Sequence, residues 1–165
     1  MKILDNKQIN QKIRRLAYEI LEDNYQVKKL IFLGINTNGT AFAQLLADKY
    51  NEISTFPVTV GTLSLNPADP LSNDIELQLD DVSNLNKKNI IVIDDVANTG
   101  RTLYYAMRPI MAFLPKKIQV AVLVDRKHKS FPISVDYVGL SLATTLKENI
   151  EVDIKKVKTK SVTLE

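Results

Sequence analysis

The chain has 165 residues, a length typical of one domain with its own core, and 45% of them are hydrophobic while 25% are charged. It has no cysteine and one histidine, which excludes disulfides, thiolate metal sites and multi-histidine metal sites. The net charge of +3 is mild and gives little support to nucleic-acid binding. Neither a signal core nor an apolar stretch long enough to span a bilayer is present, so we expect one cytoplasmic domain over residues 1–165 without membrane contact.

Helical periodicity predicts the first helix over residues 5–24. Asp5 and Gln8 have the spacing of a capping box at its start, and apolar residues then recur at helical spacing. Short apolar or alternating runs predict strands, and further helical periodicity predicts two more helices. In chain order these are a strand over 29–33, a helix over 40–50, strands over 57–65, 75–79 and 89–93, a helix over 102–113, and strands over 118–124, 135–138 and 150–154.

The alternation of strands and helices predicts an α/β fold with a central, mainly parallel sheet flanked by helices. Such sheets bind ligands outside the carboxyl ends of their strands. Two chemically unusual segments follow predicted strands, over residues 34–39 and 94–102. We therefore expect these two segments to lie at the binding edge of the sheet.

The most informative segment is an apolar strand that ends in Asp94 and Asp95 and is followed by polar residues that begin a helix. Adjacent carboxylates repel each other, so their charged form needs support from a vicinal diol or a nearby Mg²⁺. Backbone N–H groups at a helix start bind anions, and a glycine lets the backbone approach closely. Acids for a diol beside a phosphate cradle predict a site for ribose 5-phosphate. The cradle residues are Asn98, Thr99, Gly100, Arg101 and Thr102.

Simpler interpretations exist for each half of this segment. The acid pair alone is typical of a strand-ending turn, and Thr99 alone is typical of a helix cap. We favour the ligand site because the joint pattern is far rarer than either half. A dinucleotide-binding enzyme is disfavoured, since no Gly-x-Gly-x-x-Gly follows the first strand, and a Walker loop is also absent.

The segment over residues 90–102 resembles the motif by which type I phosphoribosyltransferases bind 5-phosphoribosyl-1-pyrophosphate (PRPP). The rest of the chain, to about residue 145, resembles the bifunctional pyrimidine-operon regulators that are also uracil phosphoribosyltransferases. The segments that carry this second resemblance are 3–5, 34–39, 57–61, 121–128 and 132–139. The resemblance implies a type I phosphoribosyltransferase-like fold with a small hood above the strand ends, and assembly as a homo-oligomer.

The resemblance also implies a reaction and roles for named residues. The 5-phosphoribosyl group would pass from PRPP to a nucleobase, uracil being favoured, with release of pyrophosphate and formation of a nucleoside monophosphate. Asp94 and Asp95 would be the catalytic pair, holding the ribose hydroxyls and organising Mg²⁺, mostly indirectly. Residues 98–102 would hold the 5-phosphate, and Tyr137 with Val138 would contact the base. The implied pyrophosphate loop consists of Gly34, Ile35, Asn36, Thr37, Asn38 and Gly39.

Three departures from the family bear on activity. Purine-specific relatives usually carry Asp where this chain has Asn98, which cannot act as a general base, so a pyrimidine is favoured. Asn36 and Asn38 stand where the regulator family usually has basic residues, although asparagine also suits a tight turn. No Arg or Lys occurs over residues 61–86, where the family's hood loop usually has one. The loss of these cations should weaken pyrophosphate binding and transition-state stabilisation.

The departures leave a second function open. A non-catalytic sensor of PRPP or nucleotides, or an RNA-binding pyrimidine regulator, would use the same scaffold without turnover. RNA binding needs a basic face, and the modest net charge does not favour it. For Arg126, Lys127 and His128, contact with substrate or RNA and a solvated turn both remain open.

Overall fold

The computed structural model describes residues 1–80, 85–145, 147–155 and 158–165. The elements in chain order are β1 (Lys2–Leu4), α1 (Asn6–Asn24), β2 (Leu30–Ile35), α2 (Asn36–Ile53), β3 (Thr59–Ser64), β4 (Glu76–Gln78), β5 (Asn89–Ala97), α3 (Arg101–Ala106), a 3₁₀ helix (Ile110–Ala112), β6 (Lys117–Arg126), β7 (Tyr137–Leu142), β8 (Ile150–Asp153) and β9 (Ser161–Leu164). Within these ranges, no helix is both long and apolar enough to cross a membrane.

The central sheet has the strand order β4-β3-β2-β5-β6-β7. All neighbouring pairs are parallel except β3 with β4. Every residue of β2 is buried, as expected for a parallel strand covered on both faces. The predicted α/β fold with a mainly parallel sheet flanked by helices is confirmed.

Two apolar layers hold the helices against the sheet. On one face, α1 and α2 bury residues such as Leu16 and Phe42 against Phe32 of β2. On the other face, Leu103 of α3 packs with Val92 of β5. These side chains are at most 1% exposed, and burial of a large apolar side chain is worth about 1.5–3 kcal/mol. The layers thus fix where the strands end, which is where the candidate site lies.

The start of α1 confirms the predicted capping box. Asp5 Oδ1 accepts a hydrogen bond of 2.8 Å from the Gln8 backbone N–H, and Gln8 Oε1 accepts one of 2.9 Å from the Asp5 backbone N–H. Two backbone donors that the helix cannot satisfy itself are therefore satisfied.

Three of the differences between predicted and observed element boundaries bear on the site. The second helix begins at Asn36 rather than at residue 40, so it includes most of the segment expected to be a loop. Strand β5 continues through both acids to Ala97, because β6 offers a partner along this length. The third helix ends at Ala106 and is followed by a 3₁₀ turn, since Pro109 has no N–H to continue a helix.

A second sheet, with the order β1-β9-β8, stands beside the central one. Its strands are antiparallel, and Lys2 pairs with Thr163 while Val152 pairs with Val162. Only β8 was predicted, because β1 and β9 have three or four residues each and pair across nearly the whole chain. This sheet forms the small hood of the fold.

Candidate active site at the carboxyl ends of β2 and β5

A cleft of about 460 Å³ opens where β2 and β5 end. It brings together the two segments that the sequence singled out, 34–39 and 94–102, and adds residues from elsewhere. Its lining consists of Ile35, Asn36, Thr37, Asn38, Pro67, Asp94, Asp95, Val96, Asn98, Thr102, Ile150 and Lys155. A smaller pocket of about 40 Å³ adjoins it and is lined by residues 94 and 96–103.

The two acids at the cleft have different surroundings. Asp94 is only 9% exposed, and its Oδ1 accepts a 2.9 Å hydrogen bond from the Asp95 backbone N–H. Burial raises the pKa of Asp94 well above its ordinary value, and the neighbouring charge of Asp95 raises it further. Asp95 is half-buried, and its two carboxylate oxygens accept hydrogen bonds from the Val96 N–H and from the Asn38 side chain, at 2.8 and 2.9 Å. A ligand that donates hydrogen bonds or carries positive charge would stabilise the charged form of Asp94.

The segment predicted as a pyrophosphate loop is the end of β2 and the first turn of α2. Gly34 and Ile35 belong to the strand, and Asn36 begins an 18-residue helix. No side chain caps this helix start, so its first backbone N–H groups are available to an anion. The expectation of a loop is therefore corrected, while a helix N-terminus provides the positive potential that a pyrophosphate needs.

Gly39 allows this first turn to approach the acids. A Cβ at Gly39 would lie 2.7 Å from the carbonyl oxygen of Ile93 and 3.2 Å from Asp94 Oδ1. The first distance is too short for any side chain, so only glycine fits without displacing the helix. The position thus sets the separation between the start of α2 and the end of β5.

Both asparagines of this turn have partners within the protein. Asn36 adopts the left-handed conformation, with φ of 52°, and its Oδ1 accepts a 2.9 Å hydrogen bond from the Leu65 N–H. Asparagine tolerates this conformation better than most residues. The amide of Asn38 donates to Asp95, as described above, and lies 3.4 Å from the Val152 carbonyl oxygen. Asn36 therefore suits the turn, and Asn38 orients the second acid.

Gly100 and backbone hydrogen bonds fix the conformation of the predicted phosphate cradle. Gly100 has φ of 86° and immediately precedes α3. The Thr99 carbonyl accepts hydrogen bonds of 2.9 and 3.2 Å from the N–H groups of Ser130 and Phe131. Arg101 donates to the Pro67 carbonyl at 2.5 Å. The loop before α3 is thus fixed from two sides.

Arg126, at the end of β6, connects three parts of the site. Its guanidinium donates to Asn98 Oδ1 at 3.1 Å, to Thr144 Oγ1 at 2.6 Å and to the Thr145 carbonyl at 2.8 Å. His128 also contacts this region, since its Nε2 lies 2.7 Å from the Thr144 carbonyl oxygen. Arg126 and His128 are therefore both joined to the segment after β7, and Arg126 also to Asn98 in the cleft, whereas Lys127 is exposed.

Sequence reasoning missed the third wall of the cleft. Ile150 begins β8 and Lys155 follows it, and both line the cleft although they lie about 55 and 60 positions after Asp95. Lys155 is exposed and is the one lysine among the lining residues. Nothing local in the sequence signals this contribution, because β8 reaches the cleft through its pairing with β9.

The expected base contact at Tyr137 is wrong. Tyr137 is 3% exposed, and its hydroxyl lies 2.7 Å from Asp23 Oδ2 and 3.0 Å from Gln119 Oε1. Its ring belongs to the apolar core beneath α1, so no face is free to stack on a base. Burial raises the pKa of this hydroxyl, consistent with an internal hydrogen-bonded role. Val138 is half-buried, and its contact with a base stays a prediction.

The carboxylates at the cleft fit a Mg²⁺ ion that takes only one or two of its ligands from the protein. Across the described parts of the chain, no three or more His, Cys, Asp or Glu side chains are grouped to hold a metal ion. Mg²⁺ commonly uses one or two carboxylates and completes its octahedron with water and substrate phosphates. Asp94 and Asp95 supply that number of carboxylates. They would hold a Mg²⁺ that is ligated mainly by the substrate.

The family follows from comparison with known proteins. The sequence profile of the phosphoribosyl transferase domain matches residues 1–156, and the chain belongs to this family of enzymes. It is 36% identical to the bifunctional protein PyrR of Bacillus cereus strain AH820 and to that of Bacillus mycoides strain KBAB4, in each case over 93% of this chain and 90% of the relative.

Solved structures confirm the fold. A hypoxanthine-guanine phosphoribosyltransferase (hpt-2) of Bacillus anthracis superposes with a TM-score of 0.76 at 20% identity, over 99% of this chain and 96% of that one. The hypoxanthine phosphoribosyltransferase of Trypanosoma cruzi has the same TM-score at 17% identity, over 98% and 94% of the two chains. The predicted type I phosphoribosyltransferase-like fold is confirmed.

Proposed function

We propose that the protein transfers the 5-phosphoribosyl group of PRPP to a pyrimidine base, with uracil favoured, and releases pyrophosphate. The observation that carries the proposal is the meeting of three features in one cleft. The acid pair of β5 suits the ribose diol, the cradle over 98–102 suits the 5-phosphate, and the uncapped start of α2 suits the pyrophosphate. These are the three polar parts of PRPP.

The acid pair acts on the ribose. Asp94 is costly to ionise in the free protein, and hydrogen bonds from the two ribose hydroxyls would offset part of that cost. Asp95 is already oriented by Asn38, so the pair needs little rearrangement when PRPP binds. Fixing the ribose in this way aligns its C1 with the attacking nitrogen of the base.

The leaving pyrophosphate meets partial positive charge at the start of α2. The N–H groups there have no side-chain cap, and the Lys155 ammonium lines the same cleft. Mg²⁺, when bound, would neutralise charge that develops on the pyrophosphate as its bond to C1 breaks. A covalent nucleophile is not needed, because the reaction depends on positioning and on charge stabilisation.

Asn98 supports a pyrimidine acceptor. Its amide oxygen accepts from Arg126, which leaves the amide N–H groups free to donate to a carbonyl oxygen of the base. An amide cannot take a proton from the base, so a substrate that depends on a general base at this position is disfavoured. Uracil offers two carbonyl oxygens and fits this donor.

The first test is the detection of nucleotide product from PRPP, Mg²⁺ and a panel of bases that includes uracil, hypoxanthine and guanine. We expect uridine monophosphate as the main product. The double variant Asp94→Asn with Asp95→Asn should lose PRPP binding and product, whereas Asp74→Asn, at an exposed position outside the cleft, should retain both. Product from a purine base alone would overturn the choice of substrate.

A second function is favoured by one observation. The first turn of α2 contains no Lys or Arg, and its two asparagines already have protein partners. A protein that binds PRPP or nucleotides and regulates without turnover would not need cations there. Calorimetric binding of PRPP without product from any base would establish this alternative. Unchanged nucleotide affinity in the double Asp variant would contradict both functions, because both use the diol contact.

We also infer that the protein acts in the cytoplasm and that it assembles as a homo-oligomer. The membership of the family supports oligomer formation, and so do three exposed apolar side chains that lie in the 3₁₀ helix or shortly after it in the chain, with Met111 67%, Leu114 84% and Ile118 39% exposed. Surfaces of this kind mark contacts between proteins. Light scattering coupled to size-exclusion chromatography checks it, and a monomer at micromolar concentration would contradict it.

A further inference from the structure

Three lysine pairs occur at equivalent places in the sequence. Lys28 and Lys29 precede β2, Lys87 and Lys88 precede β5, and Lys116 and Lys117 stand at the start of β6. These strands are neighbours and parallel, so the three pairs meet at the amino edge of the sheet, opposite the cleft. The strand pairing confirms it, since Asn89 is level with both Leu30 and Lys117.

The three pairs enclose a groove of about 650 Å³, which we call the lysine groove. Its lining contains all six lysines, one carboxylate, that of Asp23, and the side chain of Tyr25. The Asp23 carboxylate accepts a hydrogen bond from Tyr137. Over the described residues, no salt bridge joins any of the six lysines to an acid. The groove therefore concentrates positive charge that the described part of the protein does not neutralise.

Backbone hydrogen bonds join two of the three lysine pairs. The Lys88 carbonyl accepts a 2.9 Å bond from the Lys116 N–H, and the Lys87 N–H donates at 2.9 Å to the Leu114 carbonyl. Lys87 has φ of 61°, a left-handed conformation that costs about 1 kcal/mol or more for a residue with a side chain. The turn before β5 is thus fixed by its neighbours in a shape that presents two lysines side by side.

Such a group of cations favours a multiply charged anion. Adjacent strands lie roughly 4.8 Å apart, so the three pairs span about 10 Å. Like charges at this spacing repel each other within one Debye length at 0.1 M salt. An anion that carries several charges in a short length relieves this repulsion at all three pairs at once. A singly charged anion would relieve only part of it.

We propose that the lysine groove is a second binding site, for a ligand that contains a chain of condensed phosphates. A nucleoside triphosphate and an inorganic polyphosphate share this chemistry. The volume of the groove falls within the range of small-molecule sites. Nucleic acid would need a longer basic stripe, and the lysine pairs are confined to this one groove. Tyr25, 65% exposed, offers a ring on which a base can stack.

The lysine groove is separate from the cleft. Strand β5 runs from Asn89 at the groove to the acid pair at the cleft, and a strand rises about 3.3 Å per residue. No residue lines both places. Occupation of the groove therefore does not depend on the transfer reaction, and the two can be tested apart.

Nuclear magnetic resonance titration locates the ligand. Inorganic tripolyphosphate and uridine triphosphate are added separately to ¹⁵N-labelled protein in low salt. We expect the amide signals of residues 26–30, 87–89 and 116–118 to shift, and the dissociation constant to rise steeply with salt concentration. Shifts confined to residues 36–39 and 94–102 would overturn the proposal, because the phosphates would then occupy only the cleft.

A variant that lacks four of the six lysine charges provides a second test of the proposal. Its substitutions are Lys87→Gln, Lys88→Gln, Lys116→Gln and Lys117→Gln. Its matched control carries the same number of substitutions away from the groove, namely Lys2→Gln, Lys7→Gln, Lys12→Gln and Lys158→Gln. We expect tripolyphosphate affinity at the groove to fall roughly 100-fold in the first variant and less than about 3-fold in the control. Equal losses in both would overturn the proposal, since net charge alone would then explain binding.

Two controls separate loss of charge in the glutamine variant from loss of folding or of activity. Replacement of the same four lysines by arginine keeps the charge and should keep the affinity. Nucleotide formation from PRPP should be unchanged in the glutamine variant, so failure of the groove and failure of the proposed reaction give different results. Loss of affinity in the arginine variant as large as in the glutamine variant would contradict a site based on charge.

Comparison of the ligands identifies the source of the phosphates. Tighter binding of uridine triphosphate than of tripolyphosphate, with the difference lost in Tyr25→Leu, supports a nucleotide. Equal affinity for both supports an inorganic chain. Binding of single-stranded RNA that strengthens with length, together with no binding of either triphosphate, would replace the proposed ligand by nucleic acid and overturn the proposal.

Discussion

The fold places the Asp94 carboxyl group, whose ionisation is energetically costly, at a cleft where a ligand can contact it. The carboxyl group is buried at the end of an apolar strand and next to a second acid, so its negative charge is poorly solvated. The sequence predicted that the acid pair and residues 98–102 lie together at the edge of the sheet, because both belong to one continuous segment. It could not predict which of the two acids is buried, since this depends on how closely Gly39 brings α2 to β5.

The substitution Asp94→Asn should stabilise the protein at neutral pH while it weakens PRPP binding. The pKa of Asp94 is raised above its ordinary value of 3.8, so the folded protein binds this proton more tightly than the unfolded chain does. The contribution of Asp94 to wild-type stability therefore falls as pH rises from about 4 through the raised pKa. We expect the melting temperature of the variant to exceed that of the wild type by about 3 °C or more at pH 7, and the difference to shrink towards pH 4.

Calorimetry over this pH range measures the difference. The matched control is Asp74→Asn, at an exposed position, which should leave the melting temperature unchanged. A variant that is less stable than the wild type at pH 7 would show that the Asp94 carboxylate is stabilised in the free protein, contrary to its burial.

A substitution at Asn38 tests whether a cation at the start of α2 would strengthen pyrophosphate binding. The Asn38 amide donates to Asp95, and a guanidinium at the same place would keep that donor and add positive charge beside the start of α2. We expect Asn38→Arg to bind pyrophosphate roughly 10-fold more tightly, measured as product inhibition or by calorimetry. Asn10→Arg, on the exposed face of α1, adds the same charge elsewhere and should have no effect. Unchanged pyrophosphate affinity in Asn38→Arg would show that this turn does not face the pyrophosphate.

At the scale of elements, the largest departure from the predictions concerns the start of α2. Asparagine and glycine are typical of turns, so residues 36–39 looked like a loop. They are helical because Asn36 makes the sharp change of direction alone, in a left-handed conformation, and the helix can begin at once. Tyr137 was misplaced for a related reason. It lies within the strand predicted over residues 135–138, but a strand pattern does not show which layer of the protein covers each face.

Arg126 holds the element ends around the cleft, and its replacement should affect the base more than the phosphates. Arg126→Gln keeps a polar side chain but loses the three-way contact with Asn98, Thr144 and Thr145. We expect the KM for the base to rise about 10-fold while the affinity for PRPP changes little, measured by steady-state kinetics and calorimetry. Lys127→Gln, at the exposed neighbouring position, is the control. An equal loss of PRPP affinity would mean that Arg126 contacts the phosphates instead.

At the scale of the whole molecule, the cleft depends on two sheets that are distant in the chain. The central sheet could be predicted, because each of its longer strands has an apolar run. The three-stranded sheet could not, because β1 and β9 are very short and their pairing joins Lys2 to Thr163. Ile150 and Lys155 were missed for the same reason, since only this sheet carries them to the cleft.

Val162 links the stability of the small sheet to the cleft. It is fully buried in β9 and pairs with Val152 of β8. We expect Val162→Ala to cost about 2 kcal/mol of unfolding free energy and to weaken PRPP binding several-fold, because β8 would hold Ile150 less firmly. Chemical denaturation and calorimetry measure the two effects. Val120→Ala, a buried valine of β6 far from the cleft, should reduce stability without reducing affinity. Similar affinity losses in both variants would contradict a specific role of the small sheet.

The pairing of β1 with β9 also constrains the order in which the protein can mature. Residues 30–126 contain the adjacent parallel strands β2, β5 and β6, which can assemble while later residues are still being synthesised. The three-stranded sheet cannot form until residues 161–164 have emerged and found residues 2–4, a contact of very high sequence separation. The acid pair and residues 98–102 would therefore be in place before the wall formed by Ile150. A nascent chain of this protein should acquire its sheet early and its ability to retain PRPP last.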